Sequence, residues 1–390
     1  MGKTRRGGGK KNTRIEKERR FLKFMAKMRY KKYPSKSSTD ETVDMYDEQL
    51  QKMLGSRLSK KDRVEYERTS SVGKGRDGKV FDCRIRDLLE EGEVREDDVH
   101  RRYVVKEMYF STPPQYSTHS RLVAKLDAFL RKCMFELRIL LFYEHDECVV
   151  KAVGGFLHQD TTFHRVYFGI IMEKMETSLH NYLIDVDKIS VVKAAQIGLE
   201  LVSLARFTET KLGFVHNDLH SKNVLCKADG TQLKICDFGQ AASFGGKDDV
   251  ALRGKEFQEN SLVLDENSKH VGRKHNSVNA DASCDHYSLA YMILCVLHGY
   301  YHKIVKLFHS NGGQVYSPYP DGGVVCKRSQ KMRRCVGQFK NVALLVQPVT
   351  LLLKECIENG TMLQSDAVKE ALNALVASDE AGRLSVRFNQ

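Results

Sequence analysis

Apolar positions along the chain repeat with two different periods. Leu122, Leu126, Phe129, Cys133, Glu136 and Leu140 recur at spacings of three and four, which predicts a helix whose apolar face carries one carboxylate, Glu136. Nearly continuous apolar runs predict strands over Arg102–Lys106 and Val166–Met175. Asn223-Val224-Leu225 and Leu233-Lys234-Ile235-Cys236 flank turn residues at Ala228-Asp229-Gly230, the pattern of a hairpin that would bring Asn223 and Asp237 together. Asp285 opens an almost wholly apolar run to Leu297. A helix is also expected over Val43–Leu58, after a linker at Pro34–Asp40.

Composition narrows the class. With 390 residues and 41% hydrophobic content there is enough chain for one unit of two lobes and a short appendage, and too little for a further large domain. No run of 18 apolar residues occurs, so no membrane-spanning helix is expected. The first residues are basic and lack the apolar stretch of a secretory signal, and Arg6 stands where a myristoylation signal wants Ser or Thr. Ten scattered cysteines, with no Cys-x-x-Cys, read as reduced core thiols of an intracellular protein, cytoplasmic or nuclear.

Charge is unevenly placed. Residues 1–36 hold 15 of the 63 Lys and Arg and two of the 50 acidic residues, so the tail accounts for the whole net charge of +13 and the remainder balances at 48 against 48. Gly7-Gly8-Gly9 predicts disorder at the start, while Ile15, Phe21, Leu22, Phe24, Met25, Met28 and Tyr30 could form one face of a basic amphipathic helix. Such a segment suits an anionic partner (nucleic acid, an import receptor or a membrane surface), a partner groove, or simply a solvated arm.

Candidate chemistry concentrates in Phe214–Ala241. Asp218, Asn223 and Asp237 supply two carboxylates and an amide, groups that can orient a hydroxyl and hold magnesium. The order His216-x-Asp218-Leu219-x-x-x-Asn223, then Asp237-Phe238-Gly239, resembles the catalytic and metal-binding loops of the eukaryotic protein kinase family. The resemblance extends over about residues 66–388. It implies an α+β, bilobal protein-kinase-like fold, with a small antiparallel β lobe (66–175) bearing one key helix and a larger, mainly helical lobe (176–390). A basic tail (1–40) and a helical extension (41–65) would precede them.

Further motifs follow in the family's order. Gly73, Gly75 and Gly78, with Val80 beyond, match the loop that closes over ATP phosphates, although three glycines can equally be an ordinary turn. Lys106 would reach the α and β phosphates. Glu136 would pair with it, since a carboxylate on a buried stripe needs a partner; the competing reading is a stripe-edge Glu that reaches water. His145 precedes an apolar strand as the resemblance implies. Met172 would line the adenine pocket, with the backbones of Glu173 and Met175 at the adenine edge, and these residues also read as plain core strand. Asp285 would brace the backbone near His216, and Asp379–Arg383 resembles the Arg-bearing element that ends the fold. The implied reaction is transfer of the ATP γ-phosphoryl group to a protein hydroxyl: Asp218 orients the hydroxyl, Asn223 and Asp237 hold Mg²⁺, and Lys106 positions the phosphates.

Departures shape the expectations. Asn217 replaces the Arg that grips an activation-loop phosphate, so activity is expected not to depend on such phosphorylation. No Ala-Pro-Glu occurs between Gly239 and Asp285, which leaves Arg383 without the motif that usually partners it. His220 stands where serine/threonine kinases place Lys, and Lys222 where some tyrosine kinases place Arg, so serine/threonine specificity is a default. The Leu88–Val99 and Ser310–Arg334 stretches read as inserted surface loops. Two other readings stand beside this one. His-Asn-Asp-Leu-His also resembles the aminoglycoside and choline kinase branch, which phosphorylates small molecules, and an ATP-binding pseudokinase scaffold could act through the basic tail. The pared-down activation segment is reminiscent of divergent kinases of large DNA viruses.

Overall fold

The computed structural model describes residues 38–55, 64–74, 78–85, 103–113, 115, 119–186, 188–212, 214–216, 218–243, 283–298, 342, 344–353, 355–356 and 362–388. Residues 1–37 of the basic tail, Gly75, Asn217, both expected insertions and the segment 244–282 lie outside them, while Ser38, Thr39 and Asp40 form the cap and start of the first helix. The described residues fall into two compact units, one of residues 38–175 with Cys236–Gly239, the other of Glu176–Ile235 and the residues from Gln240 onward.

In the first unit, helix α1 (Thr39–Leu54) starts four residues before the expected Val43. The reason is local. Ser38 accepts the Glu41 N–H on its hydroxyl at 3.2 Å, and Asp40 and Glu41 put negative charge in the first turn. What composition alone reads as linker is a helix cap in a Ser-x-x-Glu frame. Gly55, with φ +60°, ends the helix in a left-handed conformation that favours glycine.

Five antiparallel strands follow: β1 (Val64–Lys74), β2 (Lys79–Ile85), β3 (Tyr103–Ser111), β4 (Ala152–Asp160) and β5 (Arg165–Glu173), arranged β1-β2-β3-β5-β4. Strand β3 runs beyond the expected Lys106 because Met108, Tyr109 and Phe110 continue its pairing with β5. Alternation sorts the side chains. Val105 joins Val64, Phe81, Cys83, Phe156 and Ile171 in one buried cluster. Its neighbours Lys106 and Met108 reach instead to helix α2 (Ser120–Phe142), through Glu136 and Cys133. On α2, Leu126, Leu130, Cys133, Leu137 and Leu140 are buried, whereas Leu122 and Phe129 sit half-buried at the edge of the stripe.

The second unit is mainly helical. Strand β6 (Thr177–Ser178) leads into α3 (Leu179–Asp185), then β7 (Lys188–Ser190) and α4 (Val191–Thr210), each helix capped by a serine hydroxyl, Ser178 and Ser190. After β8 (Phe214–Val215), the expected hairpin forms from β9 (Val224–Cys226) and β10 (Lys234–Ile235), with Ile235 opposite Val224. Strand β6 pairs with β9, and β11 (Ala242–Ser243) with β8. Helix α5 (Ser283–His298) spans the apolar run and is buried along Asp285–His298. Helix α4 packs between α5 and α6 (Ser365–Val376) at Gly198, where a Cβ would lie 3.1 Å from Leu372 and 3.5 Å from Ile293. Short helix α7 (Asp379–Arg383) and β12 (Ser385–Arg387), paired with β7, close the unit. Among the described residues no helix is long and apolar enough to cross a membrane.

Candidate active site

Two groups of side chains, one in each unit, gather residues that the sequence singled out. In the first, β3 and α2 bring Lys106 Nζ to 2.7 Å from Glu136 Oε1, with side chains 8% and 2% exposed. A second carboxylate completes the group: Asp237 Oδ1 accepts from the same ammonium at 2.8 Å. Burial works against the lysine's charge, but the two carboxylates more than offset it and hold its pKa above the ordinary lysine range. Burial likewise pushes the Glu136 carboxyl up, against the pull of the Lys106 ammonium. Lysine 106 is therefore a fixed cation.

Asp237 has φ +62°, which L side chains rarely adopt and which costs on the order of 1 kcal/mol. Its carboxylate is held by Lys106, with the Gly239 N–H at 3.4 Å, so the surrounding bonds maintain the backbone against that strain. About a third of the Asp237 side chain stays exposed (32%). That leaves a carboxylate both fixed and reachable.

The expected glycines divide. A Cβ at Gly78 would meet the Glu107 carbonyl oxygen at 2.6 Å and Met108 Cγ at 2.9 Å, so its glycine is required by the approach of β2 to β3. At Gly73, opposite Val80, the nearest atoms to a Cβ are on Val80 at 3.6 and 3.8 Å, ordinary contact. Neither packing nor a left-handed backbone explains glycine there. Along β5, Met172 is buried between Val104 and Ala152. Glu173 donates its N–H to the Lys151 carbonyl at 2.9 Å and accepts the Lys151 N–H on its carboxylate at 2.8 Å. Lys174 pairs with Asp82 at 2.6 Å, and Met175 is half-buried at the end of the unit. His145 is exposed in the turn between α2 and β4.

The second group is built on the loop between β8 and β9. His216 is fully buried, and its N–H donates to Asp285 Oδ2 at 2.8 Å, the brace expected from the sequence. Its Nδ1 faces the Asp218 N–H at 3.3 Å, which assigns the ring proton to Nε2. Asn223 Nδ2 donates to the Asp218 carbonyl at 2.9 Å and lies 3.5 Å from Asp218 Oδ2, so its Oδ1 is the acceptor end directed elsewhere. His220 takes the Lys222 N–H on Nδ1 at 3.2 Å, which directs its Nε2 toward Asp218 Oδ1, 3.7 Å away. A backbone bond from Asn223 N–H to the His220 carbonyl (2.8 Å) closes the loop.

Sequence reasoning missed the supports of the hairpin. Glu200 on α4 accepts the Leu233 N–H at 2.7 Å and Glu176 accepts the Ala228 N–H at 2.8 Å, anchoring both arms. No local pattern marks either carboxylate. It missed the Lys106–Asp237 bond as well, because Asp237 reads as a metal ligand and its partner is 131 residues away.

In the first unit the Asp237 carboxylate, and in the second the Asn223 amide oxygen, are hard oxygen donors, the ligand type that suits Mg²⁺. A family model described as the protein kinase domain matches residues 66–387. No curated protein matches the chain.

Proposed function

The chain belongs to the protein kinase family, and we propose that it transfers the γ-phosphoryl group of Mg²⁺-bound ATP to a serine or threonine hydroxyl of a protein. The observation that carries the reading is the buried Lys106 ammonium between the Glu136 and Asp237 carboxylates. One carboxylate, Glu136, already balances the charge of the buried ammonium. Here a second, partly exposed carboxylate is held on the same cation at the cost of a strained backbone, the arrangement expected where phosphate and metal meet.

The residues take distinct roles. Lys106, kept charged, presents its ammonium to the α and β phosphates, while Gly73, without a Cβ, allows the backbone to approach them. Asp237 and Asn223 offer the oxygens for Mg²⁺, which when bound neutralises charge on the phosphates. Asp218 orients the substrate hydroxyl and takes its proton, with its loop fixed through His216 to Asp285. On β5, Met172 forms the inner wall of the adenine site. Because the Glu173 N–H is bonded to Lys151, the adenine edge would meet other backbone atoms of Glu173 and Met175.

Serine or threonine is the default of the family resemblance, from which His220, with Nε2 3.7 Å from Asp218 Oδ1, departs by standing where serine/threonine members carry lysine. The charge excess of residues 1–36 supports an anionic partner for the tail. Acid hydrolysis of a mixed protein substrate labelled by the full chain from γ-labelled ATP tests the specificity. Phosphoserine or phosphothreonine is expected. Label on tyrosine alone overturns the specificity, and label only on small alcohols or aminoglycosides overturns the protein-substrate reading in favour of a small-molecule phosphotransferase.

A further inference from the structure

Helix α1 precedes the residues matched by the protein kinase domain, 66–387, yet it is packed as core. Thr39, Thr42, Val43, Tyr46, Leu50 and Leu54 are buried, a stripe repeating every three or four residues against α2 and β4. Asp40, Glu41, Asp44, Glu48 and Lys52 occupy the exposed face.

Polar contacts tie this stripe to the helix that carries Glu136. The Tyr46 hydroxyl donates to Asp127 Oδ1 at 2.9 Å, while Arg131 holds Oδ2 of the same carboxylate at 2.5 Å. Burial, then the neighbouring Asp127 carboxylate, push the Tyr46 phenol well above its ordinary pKa, so it remains a donor. At the other end of the contact the Arg138 guanidinium donates to Met53 Sδ at 3.2 Å. Asp40 Oδ1 accepts from Gln159 on β4 at 2.8 Å, which also fixes α1 to the sheet.

Glu136 lies between the two α2 attachments, nine residues after Asp127 and two before Arg138. A slip of α2 by one residue turns its side chains by about 100° and would carry the Glu136 carboxylate off Lys106. Held at both places, α2 cannot slip without breaking a bond to α1.

We propose that α1 is a built-in brace that fixes the rotation and axial position of α2, with Tyr46 as a positioning residue for the Lys106–Glu136 pair. Its catalytic consequence rests on the kinase reading above; its mechanical consequence does not. The test uses the full chain with Tyr46→Phe, which removes one oxygen and keeps the ring, and Asp127→Asn, whose amide oxygen still accepts the bond. Tyr46→Phe is expected to raise KM for ATP about fivefold and lower kcat about tenfold, because a misplaced lysine weakens both binding and turnover. It should also speed hydrogen exchange about tenfold in α2 around Glu136, leaving β5 unchanged. Asp127→Asn keeps an acceptor for the Tyr46 hydroxyl but loses the Arg131 ion pair, so its change on each readout should be smaller than that of Tyr46→Phe.

A chain that is merely less folded loses kcat with KM for ATP unchanged. Tyr46→Phe with unaltered KM and unaltered exchange in α2 would overturn the proposal. If the parent chain transfers no phosphate at all, the kinase reading fails separately and exchange in α2 still decides whether α1 is a brace.

Discussion

The Lys106 ammonium lies 2.7 Å from the Glu136 carboxylate, joining the middle strand of the first unit's sheet to helix α2. Both groups are buried, so neither tolerates loss of the other. Lys106→Met leaves Glu136 and Asp237 without their shared cation and is expected to destabilise the chain by about 3–5 kcal/mol unless one carboxyl protonates. Thermal unfolding of Lys106→Met beside Lys106→Met/Glu136→Gln checks this: the double variant should recover part of the lost Tm, since it removes the stranded charge.

Asn223 is expected to act through its amide oxygen. Asn223→Ala should raise the Mg²⁺ concentration for half-maximal rate about tenfold, while Asn223→Asp, which supplies a carboxylate oxygen, should raise it less. A magnesium titration of phosphotransfer at saturating ATP reads both.

Asp285 places a buried carboxylate on the His216 N–H at 2.8 Å. Asp285→Ala leaves that amide without this acceptor and is expected to cost about 1–3 kcal/mol, with a disproportionate fall in kcat because Asp218 is two residues on. Asp285→Asn keeps an oxygen acceptor and should be milder on both counts. Denaturant unfolding together with kcat for each variant tests the pairing.

His298 is buried in α5, 2.9 Å from the Thr350 hydroxyl, and desolvation lowers its pKa from 6.5 to about 4. Between those values the unfolded chain takes up a proton that the folded chain refuses. Stability from this group is therefore present above pH 6.5 and lost as pH falls through about 4, by about 3 kcal/mol in all. His298→Gln should flatten the Tm-against-pH curve over that window without adding a slope above it.

Gly78→Ala would drive a methyl group to 2.6 Å from the Glu107 carbonyl oxygen, which is backbone and cannot step aside cheaply. A loss of about 1–3 kcal/mol is expected in thermal unfolding. Gly73→Ala meets only ordinary contacts at 3.6 Å, so its Tm should hold while its KM for ATP rises.

The placement of the candidate residues was legible where it depends on short spacing. Asp218 and Asn223 are five apart and share one loop, Asp285 bonds the His216 backbone, and Glu136 is picked out by helical period alone. The Val224–Ile235 hairpin followed from its turn residues, but its anchors on Glu200 and Glu176 did not, because a carboxylate that accepts a distant N–H leaves no mark in its own neighbourhood. The same holds for the second bond of Lys106, whose partner is fixed by tertiary packing. Helix α1 was placed too late because the expectation weighed the Ser-rich composition around Ser38 over its capping geometry. Gly78 was assigned to phosphate contact, whereas the structure gives it a packing reason as well.

The most direct test of the kinase reading is the rate of label transfer from γ-labelled ATP and Mg²⁺ to a protein substrate by the full chain beside Asp218→Asn, at equal bound nucleotide. Protein-bound label is expected from the parent chain, and a rate lower by about a hundredfold or more from Asp218→Asn, with ATP affinity within about twofold. Equal rates in the two proteins, or nucleotide binding with no transfer by the parent chain, would contradict that reading.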